Sequence, residues 1–422
     1  MAAITIRDGA TWAIAALAAG GVIARPWKLP EAVWAVLGAT SLVALSLLPL
    51  TDALRAAEKG ADVYLFLTGM MLLAGLARTQ GVFDWLAALA ARHARRSAHR
   101  LFALVYAVGT VVTVFLSNDA TAVALTPAVY AAATAARADT LPYLFVCAFT
   151  ANAASFVLPI SNPANLVVFG RAMPPLPSWL AEFAVPSVLS IGTTYLLLRV
   201  TQRRSLRQPI AERIPVPSLS PAGRLSACGI GVAVAALLLA SAFDLQLGLP
   251  TLVAGMLTAS AVSLYRRQAL WDLRKEISWS VLPLVAGLFV LVEGLVRTRP
   301  MPLPSHALQA AAERSPAATS WAAGAIVAVV SNLMNNLPVA LVARPAVAGA
   351  SVPPQVAGAV LIGVDLGPNL SITGSLATIL WLIALRREGR DVSAWTFLRL
   401  GMLVMLPALI LALAGLQMVQ LK

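Results

Sequence analysis

Apolar residues run through this chain in blocks of roughly 18 or more, separated by short charged or proline- and glycine-rich breaks, and such blocks are long enough to cross about 30 Å of hydrocarbon. They fall near 11–23, 32–50, 61–77, 101–135, 141–169 and 180–198. After a basic link at 199–224 they resume near 225–242, 249–265, 277–296, 319–347, 356–385 and 395–419. The first block looks briefly like a signal peptide, but no small-residue cleavage site ahead of a soluble domain follows it, so it reads as a retained helix. The later series repeats the earlier one. Gly75-Leu76-Ala77-Arg78-Thr79 returns as Gly294-Leu295-Val296-Arg297-Thr298, a shift of 219 residues, and Leu29-Pro30 returns as Leu249-Pro250 at a shift of 220. Asp52 and Asp272 fit the same register.

Polar, turn-favouring residues interrupt four blocks. Ser117-Asn118-Asp119 lies in the middle of 101–135, and Asn335-Asn336-Leu337-Pro338 in the middle of 319–347, so both stretches are expected to be re-entrant hairpins. Backbone freed at such a turn is tolerable only where protein or a water-filled cavity covers it. Pro159 to Asn165 and Asp365 to Thr373 break two further blocks that then run on; proline removes a donor and disfavours helix before it, so these are expected to be broken helices. With each hairpin returning to its own side, each half crosses five times, and an odd number inverts the second half relative to the first. The expected fold is an all-α polytopic membrane protein, two inverted repeats of five transmembrane helices plus one re-entrant hairpin each, with broken helices at the midplane, an arrangement typical of secondary transporters. The first repeat covers 1–200, with its hairpin near 101–135 and broken helix near 141–170. A basic cytoplasmic linker covers 201–224, and the second repeat covers 225–422, with its hairpin near 319–347 and broken helix near 356–385.

Composition agrees: 59% of 422 residues are hydrophobic and 12% charged, too apolar for a soluble domain. The formal charge of +13 could suggest nucleic acid, but the cations sit in short clusters between apolar blocks, the pattern that orients membrane helices. Placing the N-terminus outside puts Arg25, Lys28, Arg92 to Arg100, Arg199 to Arg224, Arg266 to Lys275 and Arg386 to Arg399 in the cytoplasm. Scattered cations, among them Arg7, Arg55, Lys59, Arg171, Arg297 and Arg314, are left outside, and both termini become periplasmic in a bacterial inner membrane. The segment from Val82 to Arg100 begins apolar and turns basic, as an interfacial helix does.

Asn, Ser and Thr at the breaks can donate and accept, which suits a neutral polyhydroxyl solute or a hydrated ion; helix capping is the bland alternative. Asp119 and Asp365 are the acidic residues of the breaks, and an ionisable group inside the membrane is costly enough to suggest a function, here proton carriage. Capping by Asp119 and anchoring by Asp365 are the competing roles. Glu293 is a third candidate, without a symmetric partner because Ala74 stands at the related position; Asp62 and Asp244 are expected to face water. Cys147 and Cys228 read as small buried residues, and the three histidines, His93, His99 and His306, fall between blocks. No hydrolytic, redox, metal or phosphate-cradling pattern appears, so the chain is not expected to be an enzyme or to hold a cofactor.

The four polar segments resemble those of the ion transporter superfamily, and specifically its arsenite efflux permease branch. Three are widely shared in it: Phe115 to Ala122 with Leu125-Thr126-Pro127, Ser161 to Leu166, and Asn335 to Pro338. The specific one is Gly363 to Thr378. The resemblance implies a proton-coupled exporter of arsenite and antimonite, working alone or with a separate arsenite-stimulated ATPase. It implies substrate contacts from Asn118, Thr121, Ser161, Asn162, Asn165, Asn335, Asn336, Asn369, Ser371 and Thr373, with Asp119 and Asp365 coupling protons. Cysteines are absent from all four motifs, which fits recognition of the neutral trihydroxide rather than binding by thiolates. Sodium/dicarboxylate relatives carry Ser-Asn-Thr at these turns, and the carboxylate of Asp119 disfavours an anionic substrate. The main alternative is a sodium/proton antiporter of the same fold with both aspartates as ion ligands. A dicarboxylate symporter and a channel or scaffold without a transport cycle fit less well.

Overall fold

A computed structural model describes residues 5–24, 26–170, 173–211, 216–269, 274–275, 277–300, 302–350 and 352–420. Arg25, Arg171 and Asp272, singled out above, lie outside the described residues. In chain order the helices are α1 (Ile6–Ala24), α2 (Glu31–Ala44), α3 (Leu50–Glu58), α4 (Ala61–Thr79), α5 (Val82–His93), α6 (Ala98–Leu116) and α7 (Asn118–Ala120). A π-helical turn (Thr121–Leu125) joins α7 to α8 (Thr126–Ala135). Then come α9 (Leu141–Ala153), α10 (Pro163–Phe169), α11 (Leu176–Thr201), α12 (Pro221–Ala242), α13 (Gly248–Arg266), α14 (Val281–Val296), α15 (Pro302–Arg314), α16 (Pro316–Met334), α17 (Asn336–Gly349), α18 (Pro354–Leu366), α19 (Leu376–Arg387) and α20 (Ala394–Gln420).

Seven of these, α4, α6, α11, α12, α13, α16 and α20, are long and apolar enough to cross a membrane; α2, α9 and α14 are shorter apolar helices. The block at 32–50 is not one helix as expected. It ends at Ala44, and the separate helix α3 starts behind Pro49, because proline fits the start of a helix and not its interior. The three histidines, expected in loops, lie within α5, α6 and α15. Cys147 is buried as expected, but Cys228 is exposed on α12.

Both hairpins are present, and their tips are built alike. Ser117 and Asn335 turn the chain with φ of 126° and 71°, a region where a side chain is strained, and each then caps the limb that follows: Ser117 Oγ accepts from Ala120 N and Asn335 Oδ1 from Leu337 N. The two ends of the first hairpin come to one place, where Ile210 N donates to the carbonyl of Arg96 and Ala211 N to that of Ala136. Chain that leaves and returns to the same strip of linker is re-entrant. Helix α5 packs against both limbs, and α15 does the same for the second hairpin. The repeat extends to details: α11 and α20, packed on each other, carry an internal proline each, Pro186 and Pro407.

Three groups of helices stand out: α1, α2, α3 and α14; α4, α12 and α13; and α6 to α11 with α16 to α20, centred on the α16–α18 and α11–α20 contacts. Without a hydrophobic drive between helices in lipid, close approach through small residues supplies the packing. Gly255 on α13 stands so near α4 that an added Cβ would lie 2.9 Å from the carbonyl oxygen of Gly69. Gly367, just past α18, would meet Cα, C and O of Ala328 on α16. At one edge α3 and α14 are tied by ion pairs: Arg297 to Asp52 at 2.8 Å and to Glu293 at 3.1 Å, and Lys59 to Glu293 at 2.7 Å. Glu293 is therefore taken up by two cations at a helix end. Asp62, half-buried at the start of α4, accepts from Gly248 N through Oδ1 at 2.8 Å, and Asp244 is exposed as expected.

Candidate functional site

Unwinding a helix inside a membrane frees carbonyls and amides that lipid cannot satisfy, and side-chain amides satisfy them here. Between α9 and α10 the chain relaxes into a 3-10 turn, Pro159–Ser161. Asn165 Nδ2 reaches back to the carbonyls of Ser155 (2.9 Å) and Leu158 (3.2 Å). Asn162, held extended before Pro163, accepts from Ala164 N at 3.0 Å and so starts α10. Between α18 and α19 two 3-10 turns, Gly367–Leu370 and Ile372–Gly374, lead to Ser375, which caps α19 through Thr378 N at 3.1 Å.

Each hairpin is fastened to its own break at a matching point. Ser161 Oγ donates to the carbonyl of Val114 (2.9 Å), and Thr373 Oγ1 to that of Asn332 (3.2 Å), each acceptor lying on the last turn before its hairpin tip. Asn332 does more: its Oδ1 accepts from Ser371 Oγ at 2.7 Å, and its Nδ2 donates to the carbonyls of Ala328 and Gly367. In the first hairpin Thr113 and Thr121 bond across the tip at 2.8 Å.

The two breaks also bond to each other, reciprocally. Asn162 Nδ2 donates to Asp365 Oδ1 at 2.8 Å, and Asn152 Nδ2 donates to Asn369 Oδ1 at 3.0 Å, while Asn369 Nδ2 reaches the carbonyl of Phe149 at 3.0 Å. Asn152 and Asp365 are each the penultimate residue of a thirteen-residue helix, α9 and α18, so they are repeat partners. The first repeat holds an amide where the second holds a carboxylate. All four side chains are buried, and Asp365 Oδ2 has no hydrogen-bond partner among the described residues.

Beside this buried knot lies a cavity of about 610 Å³. Its floor is formed by Ser117 and Asp119 of the first hairpin tip, Leu67 of α4, and the first residues of α10 and α19, Pro163 and Leu376. Met70, Met71 and Ala74 form one wall, and Arg78, Asp84, Lys275, Arg387 and Glu388 its charged rim. Because α5 contributes Phe83 and Asp84, the mouth is on the face where the first hairpin meets the linker. Helix starts carry partial positive charge, and two of them, with the start of the returning hairpin limb, end at this floor. Asp119, in the first turn of that limb, is the acidic group set against them.

Of the residues expected to contact substrate or couple protons, Asp119 is the one that lines the cavity, with Ser117 and Pro163 of the same polar segments. Asn118, Thr121, Ser161, Asn162, Asn165, Asn336, Asn369 and Asp365 are buried beneath it. Asn335 lines only a pocket of about 20 Å³, and Ser371 and Thr373 are held by Asn332. Ser117, not Asp119, caps the hairpin limb. Asn152 and Asn332 belong to the network without having been singled out, and Ser375 and Thr378 belong to it from the segment Gly363 to Thr378 without having been expected as contacts. Asn152 pairs with Asp365 at a shift of 213, off the register of 219–220 that the sequence shows, and Asn332 carries no repeat signal either, because Val114 stands at its related position and acts there through its backbone. Among the described residues no group of three or more His, Cys, Asp or Glu side chains is placed to hold a metal ion.

A family model described as citrate transporter matches residues 21–368, covering both hairpins and the first break. The chain is 28% identical to an arsenical pump membrane protein of Escherichia coli strain K12 and 27% to one of Yersinia enterocolitica, each alignment covering 82% of this chain and 84% of the relative. It is 25% identical to an uncharacterized transporter of Mycobacterium tuberculosis strain H37Rv over 90% of this chain and 91% of that one. Among solved structures, the YdaH transporter of Alcanivorax borkumensis, whose topology is described as unusual, superposes with a TM-score of 0.56 at 15% identity, covering 92% of this chain and 96% of that one.

Proposed function

The chain belongs to the citrate transporter family, a family of transporters and not of enzymes, and from that premise we propose that this membrane protein exports trivalent arsenic, as arsenite, and antimonite in exchange for protons. The observation that carries the reading is the pairing of a hydroxyl and a carboxylate, Ser117 and Asp119, in the cavity lining, with no ion pair to Asp119 among the described residues although Arg78, Lys275 and Arg387 line the same cavity. A neutral trihydroxide brings its own O–H donors to that carboxylate. A citrate carboxylate brings charge of like sign, and two such charges 4 Å apart repel by about 4 kcal/mol at an effective dielectric of 20. The names of the curated arsenical relatives support the same substrate.

In this reading the repeats are 1–200 and 225–422, joined by the linker 201–224, and the basic segments lie in the cytoplasm of a bacterial cell. The cavity mouth, rimmed by Lys275 and Arg387, then faces the cytoplasm, and the described form is the one that loads substrate. Asp119 holds either substrate or a proton, so binding one displaces the other. Asp365, closed off from the cavity, is the internal acid linked to it through Asn162. A separate arsenite-stimulated ATPase, implied by the resemblance, would act from the same face, but gradient-driven exchange does not require it.

Everted vesicles containing the protein test this. Arsenite accumulation that depends on an imposed proton gradient, is unaffected by sodium or citrate and is lost in Asp119→Asn is the expected result. Sodium-driven proton flux without arsenite movement would transfer the chain to the cation antiporter alternative, and citrate uptake would make it a carboxylate carrier.

A further inference from the structure

One further acidic side chain in a span, besides Asp62 and Asp365, is outside the cavity and outside every ion pair described above. Glu182 sits six residues into α11, about 9 Å along that helix at 1.5 Å per residue. The start of α11 lies on the face opposite the cavity mouth, since its other end, Thr201, runs into the linker beside Arg96. The carboxylate oxygen Oε1 is closed to solvent and has no hydrogen-bond partner among the described residues. It rests on α18 at Gly358, where a Cβ would coincide with it. Leu416 of α20 would lie 3.4 Å from that same Cβ, and its neighbour in sequence, Gln417, has a buried Nε2 that also lacks a partner among the described residues.

Gly358 and Asp365 are seven residues apart on α18, two turns and therefore one face, about 10.5 Å in rise. At the far end of that face Asp365 Oδ2 is a further buried polar atom without a partner among the described residues. Buried polar atoms are normally satisfied, so unpartnered atoms on α11, α18 and α20, Ser187 Oγ and Thr194 Oγ1 of α11 among them, call for a function or for water. From Asp365 the connection continues through Asn162, whose next residue, Pro163, lines the cavity floor. Other ionisable groups near this line include Arg344 of α17, a helix packed against α18, whose guanidinium stands beside Gly170 ahead of α11. Asp365 is the ionisable residue of α18, and α20 carries Arg399 on its opposite end. α6 brings His99, Arg100 and Tyr106, α9 brings Tyr143 and Cys147, and α12 brings Arg224 and Cys228. Tyr106, bonded to the carbonyl of Ile191, marks how far these stand from Glu182 along α11.

We propose that Glu182 is the entry residue of a proton route that runs from the face opposite the cavity mouth along α18 to Asp365, separate from the path of the substrate. The route deepens the proton-exchange reading above and rests on it. A proton bound at Glu182 passes through a short chain of waters to the Asp365 carboxylate, leaving Glu182 ionised and ready to take another from outside; no bond other than O–H forms or breaks. Gly358 serves by leaving space for the Glu182 carboxylate and the first water.

The test uses the full chain in proteoliposomes with two assays: arsenite accumulation driven by a pH gradient, and arsenite counterflow without a gradient. In Glu182→Gln the expected result is accumulation reduced at least tenfold with counterflow within twofold of wild type, and partial recovery in Glu182→Asp. Gly358→Ala, which keeps the acid but occupies its place, should reproduce the loss. Unchanged accumulation in Glu182→Gln, or equal loss of accumulation and counterflow, would overturn the route. If the wild type moves no arsenite, the substrate reading fails by itself. The route is then judged by gradient-driven proton uptake reported by an entrapped pH dye: slower uptake in Glu182→Gln supports it and equal uptake overturns it.

Discussion

The Asn162–Asp365 bond offers the sharpest separation of structure from function. Asn162 makes two buried bonds: it donates to Asp365 Oδ1 at 2.8 Å and accepts from Ala164 N at 3.0 Å as the cap of α10. In Asn162→Ala the cap loss costs about 1 kcal/mol. Leaving Asp365 with neither oxygen bonded costs about 1–3 kcal/mol more. The sum, about 2–4 kcal/mol, is large for one neutral side chain. Asp365→Asn behaves differently. Its Oδ1 can still accept from Asn162, and the repeat-related position is already an amide, Asn152, buried in a comparable setting. That substitution should leave stability within about 1 kcal/mol of wild type, because the bond to Asn162 is kept. Unfolding in mild detergent, followed by tryptophan fluorescence, measures both stabilities; reconstituted proton-driven arsenite transport measures function. The expected pattern is an unstable Asn162→Ala and a stable Asp365→Asn that has lost proton coupling. A stable, fully coupled Asp365→Asn would refute its role as an acid, and a fully stable Asn162→Ala would refute the cross-repeat bond as a structural tie.

Three further outcomes follow from the geometry. Ser117→Ala removes the cap and keeps the strained φ of 126°, whereas Ser117→Gly relieves the strain, so the alanine variant should be less stable than the glycine variant by about 1 kcal/mol in the same unfolding assay. Gly367→Ala drives a methyl group into the backbone of Ala328 and should cost about 1–3 kcal/mol, with loss of transport as the hairpin and break separate; wild-type melting would show that α16 and α18 can part freely. Lys59→Ala removes one exposed partner of Glu293 while Arg297 remains, so the effect should stay below about 1 kcal/mol and shrink with added salt; a double-mutant cycle with Glu293→Gln measures it.

The sequence alone determined the membrane class, the hairpins and the breaks. Blocks longer than a hydrocarbon layer admit few other folds, and Ser117-Asn118-Asp119 or Asn162-Pro163 inside such a block has to be covered by protein. The repeat was legible from short identities at shifts of 219 and 220, but the pairing of Asn152 with Asp365, at a shift of 213, emerged only from their matching places at the ends of α9 and α18. Sequence also flagged both aspartates, because charge within a span is rare. What each polar residue faces was decided only by tertiary structure. Asn165, Asn369 and Asn332 have side chains fit to bind a solute, but the breaks beside them leave carbonyls that must be satisfied first, and the packing of α9, α16 and α18 delivers those carbonyls to them. Asp119 and Asp365 look alike in sequence; the hairpin tip turns one into the cavity, and the crossing of two breaks seals the other against Asn162. Glu182 had no local signature, since its significance depends on a glycine 176 residues away that packing places beneath it. Local pattern fixes where helices start, stop and break, while the environment of a buried polar atom depends on chain distant in sequence.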